Sequence, residues 1–174
     1  MSMTETPAAS GDPKDARRLA LARRMPELLY GAVVSASILA VSSLHGPTAE
    51  HVAFATLGVT ITYWLAHVYV DAIGGRFDDR EHTAHARLGR ALFENTEILI
   101  GSLPPIIVFL IGRLMGLDVS GAAWLALWFT VAMLAGAGAY AAALAGARGS
   151  QLLIETLVAG SFGLIVIGVK YALH

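Results

Sequence analysis

Apolar residues form five long runs along the chain, and short polar segments separate them. A helix needs about 20 mostly apolar residues to cross the ~30 Å hydrocarbon core of a bilayer. Five segments approach this length and are predicted to be membrane-spanning helices: Leu28 to Leu44, Val52 to Ile73, Ile98 to Met115, Ala122 to Ala145 and Leu152 to Leu173. The pattern therefore predicts an all-α, polytopic integral membrane protein with five transmembrane helices.

The residues outside these runs divide the chain further. Residues 1–12 (MSMTETPAASGD) are small and polar without periodicity, which predicts a disordered tail. Residues 13–27 carry five basic residues interspersed with leucines, typical either of an amphipathic cytoplasmic helix on an anionic leaflet or of a plain topology signal. Residues 28–174 then form the five-helix domain, with a short cytoplasmic helical insert at about 75–97. Four further spans follow the first, which favours an uncleaved first helix over a secretory signal.

Composition supports a membrane environment. Of the 174 residues, 56% are hydrophobic and only 14% are charged, whereas about a quarter of an ordinary soluble domain is charged. The absence of cysteine excludes disulfides, thiolate metal sites and cysteine nucleophiles. The sequence has no GxSxG, HExxH or Walker motif and no basic patch studded with aromatics, so neither an enzyme nor a nucleic-acid-binding protein is expected.

Positive charges are concentrated on one side of the predicted spans. Of the twelve Lys and Arg residues, all but Arg113 and Lys170 fall before the first span or in the connections on the same side of the membrane. The positive-inside rule places that side in the cytoplasm. We therefore expect a protein of the bacterial inner (plasma) membrane with its N-terminus cytoplasmic and its C-terminus outside.

Ionisable residues within a span cost about 2.5 to 3.5 kcal/mol on insertion scales, so each is a candidate functional residue. Six such groups, from four spans, are expected at one level near the cytosol. They are predicted to form a transport or proton path: His67, Asp71, Glu155, Glu94, Glu97 and Glu27.

An alternative applies to part of this set. Acids at the start of a helix are favoured by the helix macrodipole, which accounts for the three glutamates that open spans. His67 and Glu155 should lie deeper and need partners from other helices. Either they line an ion path, or they are packed against polar neighbours such as Ser35, Thr62 or Asn95.

The cytoplasmic insert carries a second candidate site. If it is one helix that continues into the third span, two carboxylates and two imidazoles share one stripe at i, i+3, i+4 and i+7. Such ligands suit Fe, Mn or Zn, the divalent ions that we consider as cargo or cofactor. The same residues also form ordinary i,i+4 pairs on a solvated face. The candidate metal ligands are Asp78, Glu81, His82 and His85.

Two features concern helix shape and packing. Pro104 and Pro105 fall in the middle of the third span, where they are expected to kink the helix, either beside a pathway or for packing alone. Small residues recur at four-residue spacing near the end of the chain and allow helices to approach closely, within the subunit or across a homodimer. They are Gly138, Ala142, Gly146, Ala159 and Gly163.

The chain contains the strings LLYGAVVSAS, LAHVYVDAIGGRFDDRE and GSLPPIIVFLIG. It also has five predicted spans, an insert that contains acids and His, and a glycine-rich final pair of spans. In these strings and this layout the chain resembles the vacuolar iron transporter family. The resemblance implies a dimeric antiporter that moves divalent iron or manganese out of the cytosol against protons, with the insert capturing metal. This chain departs from the family in two places. Val33 and Val34 stand where the family has an acid in its first span, and the second span has His67 and Asp71 instead. The insert is also shorter than in the iron-transporting members.

Two functions follow from the sequence. The first is a cation transporter, for a divalent metal or with proton coupling, that uses the path and capture residues above. The second is a non-transporting membrane scaffold or assembly protein that shares the fold and dimerises through its small-residue faces.

Overall fold

The computed structural model describes residues 13–45, 48–78 and 83–173. These residues form six α-helices and no strand: α1 (Pro13–His45), α2 (Ala49–Asp78), α3 (Ala84–Glu94), α4 (Thr96–Leu114), α5 (Val119–Leu144) and α6 (Ser150–Leu173). The predicted tail, residues 1–12, lies outside the described residues.

Five candidate spans confirm an all-α polytopic integral membrane protein. They run over Arg24–Leu44, Ala49–Gly74, Leu88–Leu114, Val119–Leu144 and Ser150–Ala172. We call the end of the bundle where α1, α4 and α6 begin the Arg24 end, and the opposite end the Lys170 end. Large apolar side chains are exposed around the bundle, as expected for a surface that meets lipid.

The segment before the first span is not a separate helix. α1 runs without interruption from Pro13 through Pro26 to His45. The basic segment predicted at residues 13–27 is therefore the first part of the spanning helix itself.

The cytoplasmic insert also differs from the expected single helix. Thr83 has an extended backbone (φ −66°, ψ 154°), and α3 begins only at Ala84. A second interruption lies at Asn95, which separates α3 from α4. Within the described residues the insert helix therefore begins only at Ala84, and it continues into the third span with an interruption at the single residue Asn95.

Glycines bring α1 and α4 into backbone contact. A Cβ atom on Gly31 would lie 2.0 Å from the carbonyl oxygen of Ile98, and one on Gly101 would lie 1.9 Å from that of Leu28. Neither distance is possible for a real side chain, so only glycine allows these helices to pack at this separation.

The small residues near the end of the chain act within the subunit. A Cβ on Gly138 would lie 2.5 Å from Cβ of Ala159, and one on Gly163 would lie 2.7 Å from Cγ2 of Val131. The sequence allowed these small residues to pack either within the subunit or across a homodimer. In the structure, Gly138, Ala159 and Gly163 pack between α5 and α6 of one subunit.

Candidate functional site

His67 lies beside two tyrosines at the Arg24 end of the bundle. Its ring centroid is 6.3 Å from that of Tyr30 on α1 and 6.1 Å from that of Tyr63 on α2. The Tyr63 hydroxyl donates a hydrogen bond to the Tyr30 hydroxyl. The neighbours expected from the sequence are engaged differently: Ser35 donates to the carbonyl oxygen of Ala32, and Thr62 to that of Gly58.

Asp71, one helical turn after His67, accepts a hydrogen bond from Asn95, the residue that separates α3 from α4. The Asn95 side-chain amide donates to Oδ2 of Asp71 at 2.7 Å and to the carbonyl oxygen of Ala91 at 2.9 Å. Asn95 is itself buried, whereas Asp71 is exposed. The break in the third span thus places a polar side chain where it can fix a carboxylate on α2.

Glu97 links the first turn of α4 to α1. Its Oε1 lies 3.4 Å from Nε of Arg24, and its side chain is only 12% exposed whereas that of Arg24 is 67% exposed. The second carboxylate oxygen, Oε2, is buried and has no hydrogen-bond partner among the described residues. A buried carboxylate oxygen of this kind can accept a hydrogen bond or a cation.

Three of the predicted path residues lie toward the same end of the bundle, and each has its own contacts. His67, Asp71 and Glu97 lie at the Arg24 end on α2 and α4, tied to α1 and to Asn95 by the contacts above. We call these three residues with Tyr30 and Tyr63 the Arg24-end cluster.

The remaining three path candidates lie on α3, α6 and α1, toward the same end of the bundle. Glu94 is exposed and pairs with Arg90 at 2.7 Å, one turn away on α3. Glu155 is exposed on α6 and lines a groove beside α1 and α5. Glu27 is half-buried on α1. Because Tyr30 lines the same groove as Glu155, the six candidates lie toward one end of the bundle, on five helices.

The predicted metal-capture residues lie around the connection between α2 and α3. Glu81, His82 and the side chain of Asp78 lie outside the described part of the chain. His85 is exposed on α3, after the extended Thr83. Within the described residues, no group of three or more His, Asp or Glu side chains is arranged to hold a metal ion.

The proline pair lies inside an uninterrupted α4. Without N–H groups, Pro104 and Pro105 cannot donate to the carbonyl oxygens of Ile100 and Gly101. Pro104 and Gly101 line a cavity of about 240 Å³ between α1, α4 and α5. Pro104 therefore borders a cavity, whereas Pro105 is buried.

A buried lysine at the opposite end was missed as a candidate. Lys170 on α6 is 0% exposed, and its Nζ donates to Oγ of Ser43 on α1 at 2.9 Å. The same nitrogen lies 5.2 Å from the ring centroid of Trp124 on α5. From the sequence, Lys170 was interpreted only as a charge on the non-cytoplasmic side of the membrane, because a lysine near a helix end ordinarily extends toward water.

Comparison of the chain with protein-family models, with curated proteins and with solved structures finds no match. The resemblance to the vacuolar iron transporter family therefore stays a prediction from the motifs described above.

Proposed function

We propose that this protein is a small cation transporter of the bacterial inner membrane that exchanges a divalent metal ion for protons. The observation that carries the proposal is the Arg24-end cluster, in which His67 lies beside a hydrogen-bonded tyrosine pair within the spans. Ionisable groups are costly within spans and commonly mark ion and proton paths there.

The chemistry of the cluster suits this role. Imidazole changes its charge near neutral pH and can carry a proton or bind a metal through a ring nitrogen. Imidazole and carboxylate together suit Fe, Mn or Zn as the transported ion. The unpartnered Oε2 of Glu97 supplies a further acceptor at the same end of the bundle.

The proposal includes an orientation and an assembly. The Arg24 end faces the cytoplasm, because nearly all Lys and Arg residues flank the spans on that side. The insert residues Asp78, Glu81, His82 and His85 capture the ion before it enters. The functional unit is a homodimer, supported by the large apolar side chains that α6 exposes outside its contacts with α5, such as Leu157 and Leu164.

Metal uptake into proteoliposomes tests the role of His67. We expect His67→Ala to reduce Mn²⁺ uptake at least tenfold relative to the unmodified protein. His51→Ala is the matched control, since His51 is exposed near the other end of the same helix and should be dispensable. Equal uptake by the two variants would remove His67 from the mechanism. No uptake above empty liposomes by any form would favour the scaffold function.

A further inference from the structure

A groove runs between α1 and α6 and shares Tyr30 with the Arg24-end cluster. Its lower part has a volume of about 620 Å³ and is lined by α1, α5 and α6. A second space of about 290 Å³ continues along the same two helices and shares Val33 and Phe162 with the first. Pockets for drug-sized ligands have volumes of about 300 to 1,000 Å³.

The walls of the groove are apolar apart from a few groups. Glu155 is the one charged side chain among the described residues that line its lower part. The aromatic rings of Tyr30 and Phe162 lie on the facing helices α1 and α6. The groove therefore combines a single negative charge with aromatic and aliphatic surface.

The Glu155 carboxylate is available to a ligand. Its nearest hydrogen-bond donor in the described chain is Nε2 of Gln151, at 3.5 Å from Oε1, which is the long limit for a hydrogen bond. The side chain is exposed, so a ligand arriving from the lipid or from the membrane surface can reach it.

A positive charge lies at the other end of the groove between α1 and α6. Lys170 bonds to Ser43 there, one residue beyond Val169 of the second space. At about 1.5 Å per residue, the backbone of Lys170 lies roughly 22 Å along α6 from that of Glu155. A cationic ligand is therefore favoured at the Glu155 end and disfavoured at the Lys170 end.

We propose that this groove binds an amphiphilic organic cation, with the cationic centre at Glu155 and the apolar body between α1 and α6. A bare divalent ion fits poorly, because it needs several oxygen or nitrogen ligands. An organic cation needs one opposite charge together with apolar and aromatic contacts, which is what the groove provides. Because binding is measured at equilibrium without an ion gradient, its failure is distinguishable from the failure of the proposed metal transport.

Tetraphenylphosphonium is a suitable probe, and tetraphenylborate has nearly the same shape with the opposite charge. We expect the full-length protein in detergent to bind tetraphenylphosphonium saturably, and tetraphenylborate not to compete for the site. Glu155→Gln should weaken binding of the phosphonium at least tenfold, because it removes the charge and keeps the side-chain size. Glu50→Gln, at an exposed carboxylate of α2 near the other end of the bundle, should change binding less than twofold.

A second variant tests the groove rather than the charge. Val158→Trp should fill the space beside Glu155 and lower the number of bound phosphonium ions while leaving the melting temperature within a few degrees. Lack of saturable binding, equal binding by Glu155→Gln and the unmodified protein, or equal affinity for the two probes would each overturn the proposal. If a second copy of the chain occupied the groove, no saturable binding of the phosphonium would be observed.

Discussion

Single residues determine how this bundle tolerates charge, and Lys170 is the clearest case. Burying an ammonium without compensation costs several kcal/mol. The Ser43 hydroxyl and the face of Trp124 provide that compensation. Because these groups come from α1, α5 and α6, the lysine also joins three helices at one end of the bundle.

Removal of the hydroxyl should therefore destabilise the protein. We expect Ser43→Ala to lower the free energy of unfolding by about 1 to 3 kcal/mol, since a hydrogen bond to a buried charged group is lost. Thermal unfolding in detergent gives the measurement. Ser161→Ala is the control, because Ser161 is exposed and donates to the carbonyl oxygen of Val158 in its own helix. Equal melting temperatures for the two variants would show that Ser43 does not stabilise the lysine.

The Asp71–Asn95 hydrogen bond should also be measurable. A double-mutant cycle with Asp71→Ala and Asn95→Ala is expected to give a coupling energy of about 0.5 to 2 kcal/mol. The exposed Arg90–Glu94 pair is the comparison, with an expected coupling of about 0.3 to 0.5 kcal/mol. A coupling for Asp71 and Asn95 no larger than that of the exposed pair would contradict the described contact.

At the scale of helices, α1 and α4 are held by backbone contact. Gly101 is flanked at four-residue spacing by Glu97 and Pro105 rather than by Gly, Ala or Ser, so the contact was not predictable from spacing. It depends on how the two helices are rotated about their axes. The small residues of α5 and α6, in contrast, follow a spacing that indicated close packing but did not indicate the partner.

Alanine at this contact should separate the helices. We expect Gly101→Ala to destabilise the protein by about 1 to 3 kcal/mol, as overpacked sites do, because the new methyl meets the Leu28 backbone. Gly58→Ala on α2 has open space around it and should change stability by about 0.5 kcal/mol or less. Denaturant or thermal unfolding of both variants decides the matter, and similar stabilities would argue against the α1–α4 contact.

The whole molecule shows why some features were predictable and others were not. The spans follow from the length of each apolar run, which is a property of the sequence read in one dimension. The separation of α3 from α4 depends on Asn95 leaving helical geometry, and no glycine or proline marks that point. The pairing of His67 with Tyr30, and of Glu97 with Arg24, depends on the relative rotation of helices far apart in sequence.

Orientation can be tested directly because the natural chain has no cysteine. A single cysteine at Met115, in the α4–α5 turn, should react with a membrane-impermeant maleimide added outside intact cells. A cysteine at Arg148, in the α5–α6 turn, should react only after the membrane is permeabilised. Both turn positions are exposed in the structure, so accessibility reports the side of the membrane. The reverse labelling pattern would place the Arg24 end outside.

The most direct test of the central claim is proton movement coupled to metal entry. Proteoliposomes are loaded with a pH-sensitive dye, clamped at zero membrane potential and given external Mn²⁺. The account predicts that the internal pH rises with the unmodified protein and with His51→Ala, but not with His67→Ala or in empty liposomes. A pH trace for the unmodified protein that matches empty liposomes would contradict proton-coupled cation transport.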